Sequence, residues 1–281
     1  MKVLVLGASG FIGNYLYDSF LQDGVVVDGT YFTRKIKPEY IQLDLTNMTE
    51  VSSFFKERTY DFIILAAANK NVKQCEDSYD IAYKLNVLPV EHLLNSLGPS
   101  SSSTIIFMSS DYVFDGTKGN YSETSDTNPQ TNYGKTKLLA EELLLKNASN
   151  SFIVRTSAVM GKGGVFFDWL VGEIRNTENV TMFDNIFFTP TPISYLASML
   201  KKLCSSNNEL KNTRVLHVVG GRKFSRYEFA KYIKELIPSS SCEVIAEKAQ
   251  ESQFMQKDLS MVSVKLNSDN YEDEYFKREL V

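Results

Sequence analysis

The stretch Gly7-Ala-Ser-Gly10-Phe-Ile-Gly13 follows a short apolar run at Val3–Leu6 and precedes a helical pattern at Phe11–Gln22. A strand, a glycine-rich turn and a helix in this order bind dinucleotides, because glycine permits a tight turn and a close approach of pyrophosphate to the backbone. The first turn of the helix offers free N–H groups and the positive end of its dipole to the phosphates. The alternative is a tight turn without a ligand. The predicted cofactor contacts at this turn are Gly7, Ser9, Gly10, Phe11, Ile12 and Gly13.

The rest of the first half alternates short apolar runs with longer helical patterns, which is typical of a parallel sheet with helices on both faces. The predicted strands are Val3–Leu6, Val25–Thr30, Tyr40–Leu43, Phe62–Ala66, Thr104–Met108 and Phe152–Arg155. The predicted helices are Phe11–Gln22, Met48–Glu57, Asp80–Ser96 and Tyr133–Lys146. The fold class is therefore α/β, a Rossmann-type doubly wound parallel sheet, with residues 1–157 as the cofactor-binding domain.

After Arg155 the pattern loosens, and loops that contain Gly, Pro and Asn separate the predicted elements. These elements are helices at Val165–Arg175, Ile193–Cys204 and Ser225–Leu236 and a strand at Val215–Val219. We expect residues 158–192 and 220–281 to form a smaller C-terminal substrate-binding lobe, while residues 193–219 return to the cofactor-binding domain.

The composition argues against several partners and locations. A net charge of -4 with both signs well mixed disfavours nucleic acid and anionic membranes, which attract basic surfaces. No apolar run is long enough for a signal peptide or a membrane helix. Cys75, Cys204 and Cys242 are scattered, so we expect reduced thiols in a cytoplasmic protein. The cysteines and the two histidines form no local ligand pattern, so we predict no metal site.

The end of the second predicted strand decides between NAD and NADP. An NAD site places a carboxylate there for the ribose 2′-hydroxyl, whereas an NADP site places a cation there for the 2′-phosphate. After Thr30 the chain runs Tyr31-Phe-Thr-Arg-Lys35, with two cations and no acid. Arg34 is the predicted phosphate clamp, with Thr33 beside it, because guanidinium pairs with phosphate in a bidentate way. NADP(H) is therefore preferred, and NAD(H) or a solvated basic turn is the alternative.

The segment Tyr133-Gly-Lys-Thr-Lys137 places a phenol and an amine four residues apart, on one face of a helix. A tyrosine has an unperturbed pKa of about 10, and a neighbouring ammonium group stabilises the phenolate and brings that pKa closer to neutral. Ser109 and Ser110 follow the predicted strand Thr104–Met108 and supply hydroxyls for a substrate carbonyl. The pattern indicates proton transfer to a carbonyl oxygen. The alternative is that the tyrosine and the lysine lie on the exposed face of an amphipathic helix and have no catalytic role.

Four motifs resemble those of the extended short-chain dehydrogenases/reductases: Gly7–Gly13, Ala66-Ala-Ala68, Met108-Ser-Ser-Asp-Tyr-Val-Phe-Asp-Gly116 and Tyr133-Gly-Lys-Thr-Lys137. Within that superfamily, the last two are similar to those of the dTDP-4-dehydrorhamnose reductase family. They are also similar to those of the regulatory β subunit of methionine adenosyltransferase. Weaker matches, such as Arg155-Thr-Ser157, extend the likeness over nearly the whole chain.

The resemblance implies hydride transfer from a nicotinamide to the C4 ketone of a nucleotide-linked sugar. Ser110 occupies the position of the hydroxyl that holds the oxygen, Tyr133 that of the acid and Lys137 that of the amine. Tyr133 and Lys137 are expected to contact the cofactor as well. Further implied cofactor contacts are Asp44, Leu45, Ala66, Ala67, Ala68 and Asn86.

The chain departs from the reductase pattern where that pattern faces the sugar. Phe11 replaces a usual Gln, Ala158 replaces a Trp that stacks on the sugar, and Val165 replaces an Asn. After the fourth strand, Val72-Lys-Gln-Cys-Glu76 replaces a run like Val-Asp-Lys-Ala-Glu. The candidate substrate contacts are Ser109, Val113, Phe114, Ala158, Phe166 and Arg222. A place in the lobe core is the alternative for Phe166, and a solvated loop is the alternative for Arg222.

Three functions remain open on the sequence. The first is a reductase of a nucleotide-linked 4-keto-deoxysugar, which acts in deoxysugar or polysaccharide biosynthesis. The second is a regulatory subunit that binds NADP(H) without turnover. The third is an epimerase or dehydratase of a nucleotide sugar that keeps a tightly bound NAD. The helix Tyr133–Lys146 and its neighbour are candidates for a homodimer interface.

Overall fold

The computed structural model describes residues 1–205, 213–250, 256–266 and 272–280, and the chain divides into two compact units. The first unit contains Met1–Val113, Pro129–Arg155 and Leu200–Leu216, and the second contains Phe114–Asn128, Thr156–Met199 and His217–Val281. The segment that returns to the first unit is therefore shorter than the predicted 193–219. Residues 114–128 join the second unit instead of the cofactor domain, because their backbone pairs there: the Tyr121 N–H donates to the Ser260 carbonyl at 3.0 Å.

Thirteen strands form the sheets of the described residues. They are β1 (Lys2–Leu6), β2 (Val26–Tyr31), β3 (Ile41–Gln42), β4 (Phe62–Leu65), β5 (Thr104–Ser110), β6 (Ser151–Thr156), β7 (Val159–Met160), β8 (Asn179–Phe183), β9 (Phe187–Phe188), β10 (Thr191–Pro192), β11 (Val215–His217), β12 (Phe224–Ser225) and β13 (Glu243–Glu247). Every strand that the sequence predicts is present, with ends that differ by one or two residues.

The central sheet has seven strands in the order β11-β6-β5-β4-β1-β2-β3. The pairs β1–β2, β1–β4, β2–β3 and β4–β5 are all parallel. Apart from the added strand β11, this is the doubly wound order 3-2-1-4-5-6, in which ligands bind at the carboxyl ends of the strands where the strand order reverses. The predicted fold class is confirmed.

Ten helices accompany these strands in the described residues. They are α1 (Phe11–Gln22), α2 (Met48–Lys56), α3 (Val72–Asp77), α4 (Tyr79–Asn86), α5 (Leu88–Leu97), α6 (Asn132–Asn147), α7 (Val165–Asn176), α8 (Ile193–Leu203), α9 (Arg226–Glu235) and α10 (Glu272–Glu279). A short 3₁₀ helix at Asp111–Val113 follows β5.

The single helix predicted for Asp80–Ser96 is wrong, since the structure has two helices, α4 and α5, that meet at Val87. Pro89 lies in the first turn of α5. A proline inside a continuous helix would lose a hydrogen bond and clash with the carbonyl four residues earlier, which here belongs to Leu85. In the first turn of a new helix the missing N–H has no cost.

The C-terminal end of α6 is held by Arg214, which lies just before β11. Its guanidinium donates to the carbonyl oxygens of Leu145 at 2.6 Å and Leu144 at 3.1 Å, and to that of Ala148. It also donates to the Ser151 hydroxyl at 2.5 Å. The last carbonyls of a helix have no partner within the helix, and a cation at this end also interacts favourably with the helix dipole.

Replacing Arg214 by alanine is expected to lower the free energy of unfolding by about 2–4 kcal/mol, because several acceptors lose a charged donor at once. A thermal or urea unfolding experiment measures the change. The matched control is Arg278→Ala, which removes an exposed ion pair with Glu274 one turn away. That change should cost less than about 0.5 kcal/mol. Equal effects of the two substitutions would contradict the capping role of Arg214.

The second unit has a core of its own around aromatic side chains. Phe276 of α10 is fully buried and packs on Phe167 of α7 and on Phe229 and Tyr232 of α9. Three two-stranded pairs, β7–β10, β9–β12 and β8–β13, complete this unit. Across the part of the chain that the structure describes, every helix is too short or too polar to cross a bilayer.

Candidate active site

The turn between β1 and α1 requires glycine at two positions. Gly7 has a φ of 86°, and its N–H donates to the Thr30 hydroxyl at 3.1 Å. A Cβ on Gly7 would lie 2.7 Å from the backbone nitrogen of Ala67, and one on Gly13 would lie 2.3 Å from the Gly7 carbonyl oxygen. The first glycine therefore permits the turn, and the last lets α1 pack closely against it.

The N-terminus of α1 is open to an anion. Gly10 is its N-cap residue, no side chain caps the first turn, and that turn contains no acidic residue. Gly10 is exposed, while Ser9, Phe11 and Ile12 are partly exposed. Uncapped N–H groups at a helix N-terminus bind phosphate, so the turn has the features that the sequence predicts for it.

A cavity of about 300 Å³ adjoins this turn in the first unit. It lies at the carboxyl ends of the strands on either side of the strand-order reversal and is within the size range of small-molecule sites. Of the predicted cofactor contacts, Gly7, Asp44, Leu45, Ala67 and Ala68 line it. The uncapped helix and the adjoining cavity together fit a dinucleotide.

Several other residues that line the cavity were missed by the sequence analysis. They are Thr30, Tyr31, Phe32, Leu43, Thr46, Asn69, Gln74, Leu85 and Pro89. Most of them adjoin the ends of β2, β3 and β4. The rule that the carboxyl ends of parallel strands meet at one edge would have found this group. No sequence pattern pointed to Leu85 and Pro89, because they lie in α4 and α5, which the sequence analysis predicted as one continuous helix.

The predicted phosphate clamp lies in the exposed loop after β2, where Thr33 and Arg34 are both exposed and outside the cavity lining. Within the described ranges, Arg34 forms no ion pair. The nearest acid along β2, Asp28, accepts a hydrogen bond from the Tyr60 hydroxyl at 2.7 Å and pairs with Lys2 at 3.1 Å. A carboxylate for a ribose hydroxyl is therefore not available from the end of β2.

The three predicted catalytic residues lie in the first unit, at the end of β5 and in the first two turns of α6. The Ser110 hydroxyl donates to the Asp111 carboxylate at 2.9 Å and accepts the Tyr112 N–H at 3.3 Å. Burial raises the pKa of the Tyr133 phenol, and the charge of Asp111 raises it further. The nearby Ser110 hydroxyl acts in the opposite direction on that pKa.

Lys137 differs from its expected arrangement. Its ammonium group is buried, donates to the Met108 carbonyl at 2.5 Å and lies 3.9 Å from the centre of the Phe107 ring. Burial lowers the pKa of Lys137 to about 7, and the charge of Glu141 opposes this effect. Burial is the main cause of the raised pKa of Tyr133, and the lowering of that pKa by the charge of Lys137 stays a prediction.

Close backbone packing fixes the start of α6. Thr131 caps the helix by accepting the Gly134 N–H at 3.1 Å, and the Asn132 N–H donates to the Glu76 carboxylate. A Cβ on Gly134 would lie 2.1 Å from the Tyr112 carbonyl oxygen, so this contact requires glycine. The glycine after Tyr133 thereby lets the helix approach the segment that follows β5.

The side chain of Asn86 links the loop after β4, which lines the cavity, to α6. Its side-chain oxygen accepts the Asn69 N–H at 2.8 Å, and its amide donates to the Thr136 hydroxyl at 3.1 Å. The loop after β4 and the catalytic helix are thereby joined through one buried amide. Direct contact of Asn86 with a cofactor stays a prediction.

The structure argues against three of the predicted substrate contacts. Val113 and Phe114 are both 0% exposed, and Phe114 stacks on Tyr121 at 4.4 Å. Side chains without exposed surface pack in a core and do not reach a ligand. The hydroxyl of Ser109 donates to the carboxylate of Glu141. Ser109 therefore supports the sheet, and Ser110 is the hydroxyl next to Tyr133.

The other three candidates lie in the second unit. Ala158 and Phe166 are partly buried against its core, in line with the alternative for Phe166. Arg222 is exposed, and its guanidinium lies 4.1 Å from the centre of the Phe224 ring. Contact of these three residues with substrate stays a prediction.

Three features define an extended short-chain dehydrogenase/reductase: a glycine turn before α1, a doubly wound sheet, and Ser110 at the end of β5 followed by Tyr133 and Lys137 on α6. The family described as "RmlD substrate binding domain" matches residues 1–262, and the chain belongs to this family.

Similar proteins include reductases and a subunit of methionine adenosyltransferase. The chain is 31% identical to a dTDP-4-dehydrorhamnose reductase of Aggregatibacter actinomycetemcomitans, over 82% of this chain and 76% of that protein. It is 28% identical to methionine adenosyltransferase 2 subunit beta of Bos taurus, over 85% of this chain and 73% of that protein. A crystal structure of a dTDP-4-dehydrorhamnose reductase from Clostridium acetobutylicum superposes with a TM-score of 0.86 at 27% identity, and covers 100% of this chain and 98% of that chain.

Proposed function

We propose that this protein is an NADP(H)-dependent reductase of a nucleotide-linked 4-keto-deoxysugar. The observation that carries the proposal is the hydrogen bond from Lys137 to the Met108 carbonyl, in the unit that holds the glycine turn. It joins α6, which bears Tyr133, to the strand that ends at Ser110. The similarity to dTDP-4-dehydrorhamnose reductases supports the same reaction class. Incubation with NADPH and dTDP-4-dehydrorhamnose, followed by absorbance at about 340 nm and product analysis, tests it.

Each part of the first unit has a place in this reaction. A bound nicotinamide supplies the hydride. The uncapped first turn of α1 holds the pyrophosphate, and the cavity beside Gly7 holds the adenosine end. Ser110 holds the carbonyl oxygen of the sugar, and Tyr133 delivers a proton to that oxygen as negative charge develops on it. Lys137 carries the nearby positive charge, which favours the phenolate that Tyr133 leaves behind.

The preference for NADP(H) rests on the exposed guanidinium of Arg34 and on the pairing of Asp28 with Tyr60 and Lys2. The guanidinium supplies a cation for a 2′-phosphate. Because Asp28 is paired with Tyr60 and Lys2, its carboxylate is not available to bind a ribose hydroxyl. NAD(H) as the cofactor is the outcome that would contradict this preference.

Replacing Arg34 by alanine is expected to weaken NADPH binding about tenfold to a hundredfold, because a charged hydrogen-bonded pair is lost. The affinity for NADH, which lacks the 2′-phosphate, should stay the same within about twofold. Fluorescence titration of each nucleotide measures both constants. Lys35→Ala is the neighbouring control and should have the smaller effect. An equal loss of NADH affinity in Arg34→Ala would show that Arg34 does not select the phosphate.

A second candidate is a regulatory subunit that binds NADP(H) without turnover. Two observations favour it: the similarity to methionine adenosyltransferase subunit beta, and the raised pKa of Tyr133 beside a Lys137 that is bonded to the backbone. Under this candidate the protein binds NADPH but does not oxidise it with dTDP- or UDP-linked 4-keto sugars. A tightly bound NAD that copurifies with the protein would instead indicate an epimerase or dehydratase. A homodimer formed through α6 and a cytoplasmic location stay predictions.

A further inference from the structure

A buried ion pair lies directly beneath the proposed catalytic residues. Glu141 is 1% exposed and sits on α6, one helical turn after Lys137. Arg155, near the end of β6 and 6% exposed, donates to it from Nε at 3.1 Å and 3.2 Å and from Nη2 at 2.7 Å. The sequence motifs did not assign a role to Glu141.

The same carboxylate also accepts the hydroxyl of Ser109, the residue before Ser110 on β5. One side chain of α6 is therefore bonded to the ends of two neighbouring strands. Ser110 is the residue after Ser109, which contacts Glu141, and Lys137 lies one helical turn before Glu141 on α6. The separation between the hydroxyl on β5 and the amine on α6 thus depends on this junction.

Stability alone does not explain the junction. Burying a carboxylate and a guanidinium has a desolvation cost that their attraction barely offsets, and well-packed apolar residues of similar volume often stabilise a protein as much or more. A charged pair specifies a geometry, however, because bidentate hydrogen bonds fix both distance and orientation. The pair therefore serves the alignment of α6 with β5 and β6.

We propose that Glu141, held by Arg155 and Ser109, is a positioning residue that sets Ser110 against Tyr133 and Lys137 for carbonyl reduction. The inference rests on the proposed function, since it concerns the alignment of the residues that carry out that reaction. The carboxylate has a supporting electrostatic effect as well, because its charge opposes the fall in the pKa of Lys137 that burial causes.

The test compares the double variant Glu141→Gln/Arg155→Met with the wild type. The single change Glu141→Gln leaves Arg155 buried without its partner and risks unfolding, whereas the double variant removes both charges. We expect its melting temperature to stay near that of the wild type, while kcat falls about tenfold to a hundredfold because the reacting groups are misaligned. The KM for NADPH should change by less than about twofold, since the cofactor cavity is untouched.

Two further variants make the result decisive. Glu142→Gln carries the same substitution on an exposed residue of α6 and should leave kcat and the melting temperature unchanged. Ser109→Ala removes only the hydroxyl contact and should lower kcat about threefold to tenfold, which decides the matter if the double variant does not fold.

A stable double variant with wild-type kcat would overturn the proposal, and so would a wild-type kcat in Ser109→Ala when the double variant is unfolded. Failure of the proposed function is recognised separately. If the wild type does not reduce any keto sugar, or if Tyr133→Phe keeps the wild-type rate, the reductase assignment itself is wrong. A loss of activity in Tyr133→Phe together with full activity of the double variant rejects only the role of Glu141.

Discussion

Replacing Tyr133 by phenylalanine is expected to lower the rate of keto-sugar reduction about 10²–10⁴-fold, the range typical of losing a general acid. The ring keeps its edge-on contact with Tyr112, at 5.4 Å between ring centres, so the fold of α6 should persist. The phenol hydroxyl is the only group removed from the side chain. Stopped-flow or steady-state oxidation of NADPH in the presence of the keto sugar measures the change.

The NADPH affinity of the Tyr133→Phe variant should stay within about threefold of the wild type, because the phosphate-binding turn and the cavity lie elsewhere in the first unit. Tyr83→Phe is the matched control. It removes a hydroxyl that donates to Glu91 at 2.6 Å, at a position outside the cavity and the catalytic residues. A Tyr133→Phe variant that retains more than about a third of the wild-type rate would rule out the phenol as the proton donor.

Replacing Gly13 by alanine is expected to weaken nucleotide binding and to destabilise the first unit. The new Cβ would lie 2.3 Å from the Gly7 carbonyl oxygen and 2.9 Å from the Ala8 Cα, and both are backbone atoms that cannot move aside alone. The start of α1 must therefore shift away from the phosphate-binding turn. We expect a loss of about 1–3 kcal/mol in the free energy of unfolding, as for other overpacked sites.

The affinity for NADPH in the Gly13→Ala variant should fall more than about tenfold, because the N–H groups of α1 lose their alignment with the turn. Isothermal titration and thermal unfolding measure the two effects. Gly172→Ala, inside α7, is the control, since a Cβ there meets nothing within 4 Å. Alanine should stabilise that helix by about 0.5–1 kcal/mol. Similar behaviour of the two variants would contradict the close packing at Gly13.

Those parts of the fold that are determined by residues close together in the sequence could be predicted from it. The strand, turn and helix around Gly7–Gly13 follow from apolar runs and glycine positions, and these are local properties. The same holds for α6, where Tyr133 and Lys137 share a face. The structure joins the two motifs through Lys137 of α6, which donates to the Met108 carbonyl on the strand that ends at Ser110.

Contacts between residues on different helices and strands could not be predicted from the sequence pattern. Glu141 and Arg155 come from different elements, and only the folded sheet brings their charges together. One signal was present: an arginine in a buried strand needs a partner of opposite charge. Val113 and Phe114 illustrate the opposite case, since a motif shared with the reductases suggested contact with a ligand, whereas the structure buries both side chains in core packing.

The guanidinium of Arg214 has a consequence for how the protein is made. It closes the end of α6 from a position 70 residues after Leu144, and the whole of the second unit's central segment, Thr156–Met199, lies between them in the chain. During synthesis on the ribosome, the last turn of the helix that bears Tyr133 can therefore be capped only after Arg214 has been added to the chain. A fragment cut after residue 157 would include the phosphate-binding turn and the catalytic residues but lack this closure. The first unit is thus one body in space but is built from three separate segments of the chain, and the last of these segments is needed to cap α6.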